Sequence, residues 1–154
     1  MATLMNFPPN PSGSHITPVE NFNGEGVPSE AWLSLGSNLP ETEAKAMLMA
    51  VENILRIYCL EVDFSYIYLS AAEGGGQGEY CNRVARVSVT YSYDAFSQIL
   101  KQLEVSCGRD EEARNSHLVP LDIDIVVWNG EIRRPKDFNR LYFRRGYDHM
   151  NENT

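Results

Sequence analysis

Along most of the chain, apolar residues return either at every second position or at every third and fourth, and the changes between these periods mark out the elements. Residues 1–29 follow neither period and are rich in Pro, Asn, Gly and Ser, so an irregular or disordered tail is expected there. Order is expected from residues 30–35, EAWLSL, a short strand stopped by Gly36, Ser37 and Asn38. Pro40 suits a first helical position, and Glu41 and Glu43 suit the positive end of the helix dipole. Ala44, Met47, Leu48, Val51, Leu55 and Tyr58 then recur at helical spacing, which predicts a helix with one core face. Residues 61–70 and 85–93 alternate as half-buried strands do, and residues 71–82, AAEGGGQGEYCN, predict a flexible loop between them. Asp94 is placed to cap a second helix, carried by Phe96, Ile99, Leu100 and Leu103 and ended by Gly108. Residues 109–119 are polar and irregular. The run LDIDIVVW, residues 121–128, predicts a strand that turns at Asn129 and Gly130 and pairs back through Glu131 and Ile132.

The resulting order, βαββαβ, predicts an α+β fold: a ferredoxin-like sandwich with an antiparallel sheet and helices on one face. The domain is expected over residues 30–147, with a short tail over 148–154. A chain of 154 residues suits one core that buries about two-thirds of the unfolded surface. The formal charge of -8 and a pI near 4.8 exclude a general nucleic-acid or anionic-membrane binder, either of which needs a basic field. The first residues lack the charge and apolar run of an export signal, and no later run approaches a membrane span of about 20 residues. A cytoplasmic monomer is therefore expected. Cys59, Cys81 and Cys107 have no metal-ligand spacing and suggest neither a zinc site nor a disulfide framework.

Two carboxylates, Asp122 and Asp124, interrupt the last apolar strand. Side chains at i and i+2 share a face, so the pair stands about 7 Å apart, while Leu121, Ile123 and Ile125 point to the core. Adjacent anions repel unless a cation lies between them, and a hard divalent ion carrying phosphate oxygens is a common solution. An exposed polar face of an ordinary half-solvated strand would look the same.

The motifs WLSLGSN, GEYCN, LEVSCGR and LDIDIVVWNGE occur in this order, with an interval from Gly108 to Asp122 that matches a known spacing. Over about residues 31–147 the chain resembles the 6-hydroxymethyl-7,8-dihydropterin pyrophosphokinase family. That family carries out a step of folate biosynthesis: transfer of pyrophosphate from ATP to a pterin alcohol. The resemblance implies a transferase with the same ferredoxin-like sandwich. It makes Asp122 and Asp124 catalytic ligands of two magnesium ions on the phosphates of ATP. It sets Tyr80 and Asn82 at the pterin pocket, with Gly36, Ser37 and Asn38 in a supporting loop. It sets Glu104 and Arg109 by the nucleotide.

The chain departs from the family where positive charge is expected. Between Arg109 and the aspartates the family has a mobile, Arg- and Lys-rich loop, whereas this chain carries Asp110, Glu111 and Glu112. Arg114 is the one certain cation there, His117 is a partial replacement, and Val119 stands where a phosphate-binding Arg is expected. Leu141 and Tyr142 replace a Pro-His pair; Arg145 and Tyr147 are then candidates for the nucleotide-binding arginine and the pterin-stacking aromatic. Arg133, Arg134, Lys136, Arg140, Arg144 and Arg145 form a basic run able to supply the missing charge. Two readings follow: a pyrophosphokinase of reduced activity, or a non-catalytic relative that binds a pterin, a nucleotide or a protein partner.

Overall fold

The computed structural model describes residues 27–71, 79–108 and 110–152. Most of the expected N-terminal tail, and Arg109, lie outside the described residues. The elements in chain order are β1 (Ser29–Ser37), α1 (Glu41–Tyr58), β2 (Glu61–Phe64), β3 (Tyr68–Ala71), β4 (Glu79–Val89), α2 (Tyr93–Ser106), α3 (Glu111–Asn115), β5 (Asp122–Trp128), β6 (Glu131–Ile132), α4 (Pro135–Phe138) and α5 (Leu141–Glu152). The sheet runs β2–β4–β1–β5–β6, all antiparallel, and β3 continues the line of β2 along the outer edge of β4. Among the described residues no helix is long and apolar enough to cross a membrane.

β1 lies at the centre because its sequence tolerates no solvent on its core face: Ala31, Leu33 and Leu35 are fully buried. These residues, with Cys81, Ala85 and Val87 of β4 and Ile123 and Ile125 of β5, meet the apolar faces of α1 and α2 in one core. Leu48 and Leu55 of α1 and Phe96 and Leu103 of α2 are nearly inaccessible, and each contributes about 1.5–3 kcal/mol by leaving water. The two long helices thus share one sheet face, as the α+β reading requires. The C-terminal segment adds a helix on the opposite face, where Phe143 joins Trp32, Val84, Val126 and Val127 in a second core. α5 runs unbroken through residue 147 to Glu152, because Phe143, Tyr147 and Met150 form a helical stripe against the sheet.

α5 approaches the sheet closely through Gly146, where a Cβ would stand 2.7 Å from Val84 Cγ2 and 2.9 Å from both Ser65 Oγ and Tyr68 Oη. The Tyr68 hydroxyl donates to the Tyr142 carbonyl at 2.7 Å and accepts from the Gly146 N–H at 3.1 Å. Those two backbone groups are the pair that an α-helix joins to each other, so a sheet side chain bridges one rung of the helix ladder.

Two irregularities set which side chains face which way. In β5, Leu33 pairs with Ile125 but Trp32 pairs with Val127, leaving Val126 as an extra residue. The bulge changes the parity: Ile123, Ile125 and Trp128 all enter the first core, while Val126 and Val127 enter the second. The expected single strand over 61–70 is likewise broken, since residues 65–67 face only residues 83–84 of β4. Ser65 repairs the gap: its hydroxyl accepts from the Val84 N–H at 2.9 Å, and its carbonyl accepts from Arg83 Nε and Nη2 at 3.0 and 2.8 Å. Arg83 also pairs with Glu52 of α1 at 3.2 Å.

Several boundaries differ from the reading above: β4 ends at Val89 with Tyr93 already in α2, and Pro40 is the N-cap of α1. β1 continues through Gly36 and Ser37, and β4 starts at Glu79 instead of residue 85, because these ends pair with each other and with β3. The cap of α2 is Ser92, whose hydroxyl accepts from the Ala95 N–H at 3.1 Å, and Asp94 serves in the first turn. Residues 111–115, expected to be irregular, form α3: Asp110 caps it by accepting from the Ala113 N–H at 2.8 Å, and Glu111 and Glu112 lie at its positive end.

Gly146→Ala is expected to destabilise the chain by about 1–2 kcal/mol in urea unfolding, since overpacking outweighs the helix propensity gained. A gain of about 1 kcal/mol, the propensity effect alone, would show that α5 does not sit this close. Arg83→Met is expected to cost about 1–3 kcal/mol at neutral pH, chiefly by orphaning the Ser65 carbonyl. Arg56, and then Arg83, hold the Glu52 carboxyl below its ordinary value. A depressed carboxyl contributes stability above its unfolded pKa and loses it as pH falls through the folded one. The cost of Arg83→Met should therefore shrink, without vanishing, as pH is lowered below about 4.5.

Candidate functional site

Tyr68, Asn82, Gly36 and Asp122 are cross-strand neighbours in one row over β3, β4, β1 and β5. Val84, Ser34 and Asp124 form the next row. Asn82, Gly36, Asp122 and Asp124 share the sheet face of the second core, beyond the part that Phe143 covers. With strands about 4.8 Å apart, Asn82 and Asp122 stand about 10 Å from each other, and the residue between them has no side chain. A Cβ at Gly36 would lie 3.3 Å from Asn82 Oδ1 and 3.5 Å from the Tyr80 ring. The floor of this gap is thus bare backbone flanked by an amide oxygen and an aromatic ring.

Asn82 is buried, and its amide nitrogen is engaged by the sheet edge: it donates to Ser70 Oγ at 2.6 Å and to the Tyr80 carbonyl at 3.3 Å. This directs Oδ1 over Gly36. Burial pushes the neighbouring Tyr68 phenol up to about 12, so it remains a neutral donor to α5.

On the far side, Glu104 in the last turn of α2 reaches the edge of β5, where its Oε2 accepts from the Ile123 N–H at 2.8 Å. That edge is not paired with β6, which meets only Val127 and Trp128. Glu104, Asp122 and Asp124 each bring a carboxylate oxygen within 4.8 Å of the others. Oxygens around a magnesium ion stand about 2.9 Å apart when adjacent and about 4.2 Å when opposite, so this all-oxygen set suits a hard divalent ion once the three side chains draw in around it. Arg134 Nη1 lies 4.0 Å from Asp124 Oδ1. Its guanidinium is held above its ordinary value, first by the hydrogen bond to Asp137 and then, against the cost of burial, by the fields of Asp124 and Asp122.

The other residues singled out from the sequence are spread more widely. Ser37 is fully buried and its hydroxyl accepts from the Leu39 N–H at 3.3 Å, a local turn contact. Asn38 clamps the segment before β5: its Oδ1 accepts from the Val119 N–H at 2.6 Å and its Nδ2 donates to the His117 carbonyl at 2.9 Å. Arg114 and His117 stand exposed on α3 and the turn after it, with His117 at a φ of 60°. Arg145 donates to the Leu69 carbonyl at 3.2 Å and lies over the Tyr68 ring, at the β3 edge. Tyr147 packs edge-on against Trp32, with ring centres 4.6 Å apart, and against Phe138 and Phe143. The structure therefore brings together Asp122, Asp124, Glu104, Gly36, Tyr80 and Asn82, and places Tyr147 in the second core. Sequence reasoning missed Ser70 and the Arg134–Asp137–Tyr142 contacts; Ser70 falls in the alternating run 61–70, whereas nothing local distinguishes Arg134 within a basic run. Burial in the first core pushes the Cys59 and Cys107 thiols up to about 12.

No curated protein matches the chain. The family model described as 7,8-dihydro-6-hydroxymethylpterin-pyrophosphokinase (HPPK) matches residues 32–147, from β1 to α5. With a match over most of its length that takes in the carboxylate cluster and the Asn82–Gly36 gap, the chain belongs to the HPPK family.

Proposed function

We propose that the chain transfers a pyrophosphoryl group from Mg-ATP to 6-hydroxymethyl-7,8-dihydropterin, at a reduced rate. The observation that carries this reading is the single row that sets Asn82 Oδ1 and the carboxylate cluster on either side of side-chain-free Gly36. A flat heterocycle would lie over the β1–β5 side of the row, with its edge toward Asn82 Oδ1, which leans over Gly36 together with the Tyr80 ring. Asn82 Oδ1 would accept from the N–H donors on the pterin edge, and Tyr80 would pack beside the ring. The hydroxymethyl group would then point along the row toward Asp122. Asp122, Asp124 and Glu104 would hold two magnesium ions, which when bound neutralise charge on the attacking and leaving oxygens. The hydroxymethyl oxygen would attack the β-phosphorus, the bond from that phosphorus to the α–β bridging oxygen would break, AMP would leave with that oxygen, and the hydroxyl proton would pass to solvent. Both substrates are small and diffusible, which suits a cytoplasmic monomer.

The reduced rate follows from α3. Where cations would meet polyphosphate, Asp110, Glu111 and Glu112 serve the start of a helical turn. Cationic side chains in phosphoryl transfer supply about 10³–10⁵ in rate, so their replacement is costly. The same feature favours the second reading, a non-catalytic member of the family that binds without turnover.

Incubation with Mg-ATP and the hydroxymethyl pterin is expected to release AMP, which distinguishes pyrophosphoryl transfer from ATPase or ordinary kinase action. Asp122→Asn and Asp124→Asn are expected to abolish AMP release and Mg-dependent nucleotide binding while changing stability in metal-free buffer by less than about 1 kcal/mol. Pterin and nucleotide binding with no AMP would establish the non-catalytic reading; unchanged nucleotide binding in both variants would remove the carboxylates from the site.

A further inference from the structure

The basic run between β6 and α5 is not a uniform cationic surface. Arg133 lies over the Tyr93 ring, 3.9 Å from its centre. Arg144 pairs with Asp148 at 3.0 Å, and Arg145 is committed to the Leu69 carbonyl. Arg134 is turned toward the carboxylates. Its backbone is anchored where the bulge of β5 leaves a free carbonyl: the Arg133 and Arg134 N–H groups both donate to Val126, at 2.8 and 3.3 Å. Its Nε donates to Asp137, whose other oxygen accepts from the Tyr142 hydroxyl. Asp137 has a side-chain exposure of 17%, whereas that of Arg134 is 49%. A fixed anion therefore grips one edge of the guanidinium and leaves the other free to face solvent beside Asp124.

We propose that Arg134 is the cation that receives the nucleotide's polyphosphate at this cluster, and that Asp137 and Tyr142 are positioning residues that aim it. The proposal rests on the pyrophosphokinase reading and adds a residue to it. Two demands on one side chain follow. Without nucleotide, the guanidinium neutralises Asp124 and so competes with a divalent ion for that carboxylate. With metal and polyphosphate present, the fork donates to phosphate oxygens, a geometry that guanidinium matches in two parallel hydrogen bonds and ammonium does not. Arg134 thus restores locally the charge that the segment before β5 lacks. It does so from the C-terminal side of the cluster.

These demands give effects of opposite sign, which a merely structural residue would not. The full chain would be titrated calorimetrically with Mg2+ alone, and then at saturating Mg2+ with α,β-methylene-ATP. Arg134→Met is expected to tighten Mg2+ about 3- to 10-fold, because a competing cation is removed, and to weaken the analogue about 10-fold. Arg134→Lys should retain most of the competition with Mg2+ but recover only part of the analogue affinity. Asp137→Asn should weaken the analogue less than Arg134→Met does. Parallel weakening of both ligands in Arg134→Met, or no change in either, overturns the proposal while leaving the reading in place if the wild type binds both. A wild type that binds neither Mg2+ nor the analogue overturns the reading and the proposal with it.

Discussion

The pairing of β1 along both of its edges fixes the rest of the molecule. A strand with β4 on one side and β5 on the other has no free edge over most of its length, and its core face of Ala31, Leu33 and Leu35 is fully buried. A slip of one residue would turn that face outward, so the register is held by the whole core. The site inherits this precision. Gly36 is opposite Asn82 and Asp122 at once because Leu35 cannot leave its place, and the gap between amide and carboxylate is set by strand spacing.

The same logic explains how the sheet tolerates its acids. Asp122 and Asp124 sit on the face away from the first core, and the bulge at Val126 ends that arrangement within one residue pair, returning the strand to apolar side chains on both faces. Glu104 completes the cluster by accepting from the one edge of β5 that β6 does not cover. Arg134 offsets the accumulated charge. Three anions are thus held by backbone and by a neighbouring cation in a geometry that suits a hard ion, without burying any of them completely.

The elements carried by long periodic stretches were legible: α1, α2 and the alternation of β1, and the shared face of the two aspartates. What was hidden had particular causes. The residues 79–82 read as a loop because Asn82 and Arg83 break the apolar alternation of β4, and each does so for a contact made far away in sequence, Asn82 with Ser70 and Arg83 with Ser65 and Glu52. The C-terminal helix was masked by its arginines, although Phe143, Gly146, Tyr147 and Met150 carry helical spacing; one turn of aromatic residues against Trp32 outweighs the charge. The acidic run 110–112 read only as a departure where positive charge was expected, and part of its role is the ordinary chemistry of a helix start. Arg134 could not be told from its neighbours because its orientation depends on a bulge carbonyl and on Asp137.

The central claim is that one cleft joins the carboxylates of β5 to Asn82 across Gly36. Substoichiometric Mn2+, titrated into the isotopically labelled chain, tests it directly through paramagnetic broadening of amide signals. The account predicts early loss of the signals of residues 104 and 122–124 and of Gly36, then of the Asn82 side-chain amide, all restored by Asp122→Asn. Broadening centred on Asp110, Glu111 and Glu112, with Gly36 and residues 122–124 untouched, would contradict it.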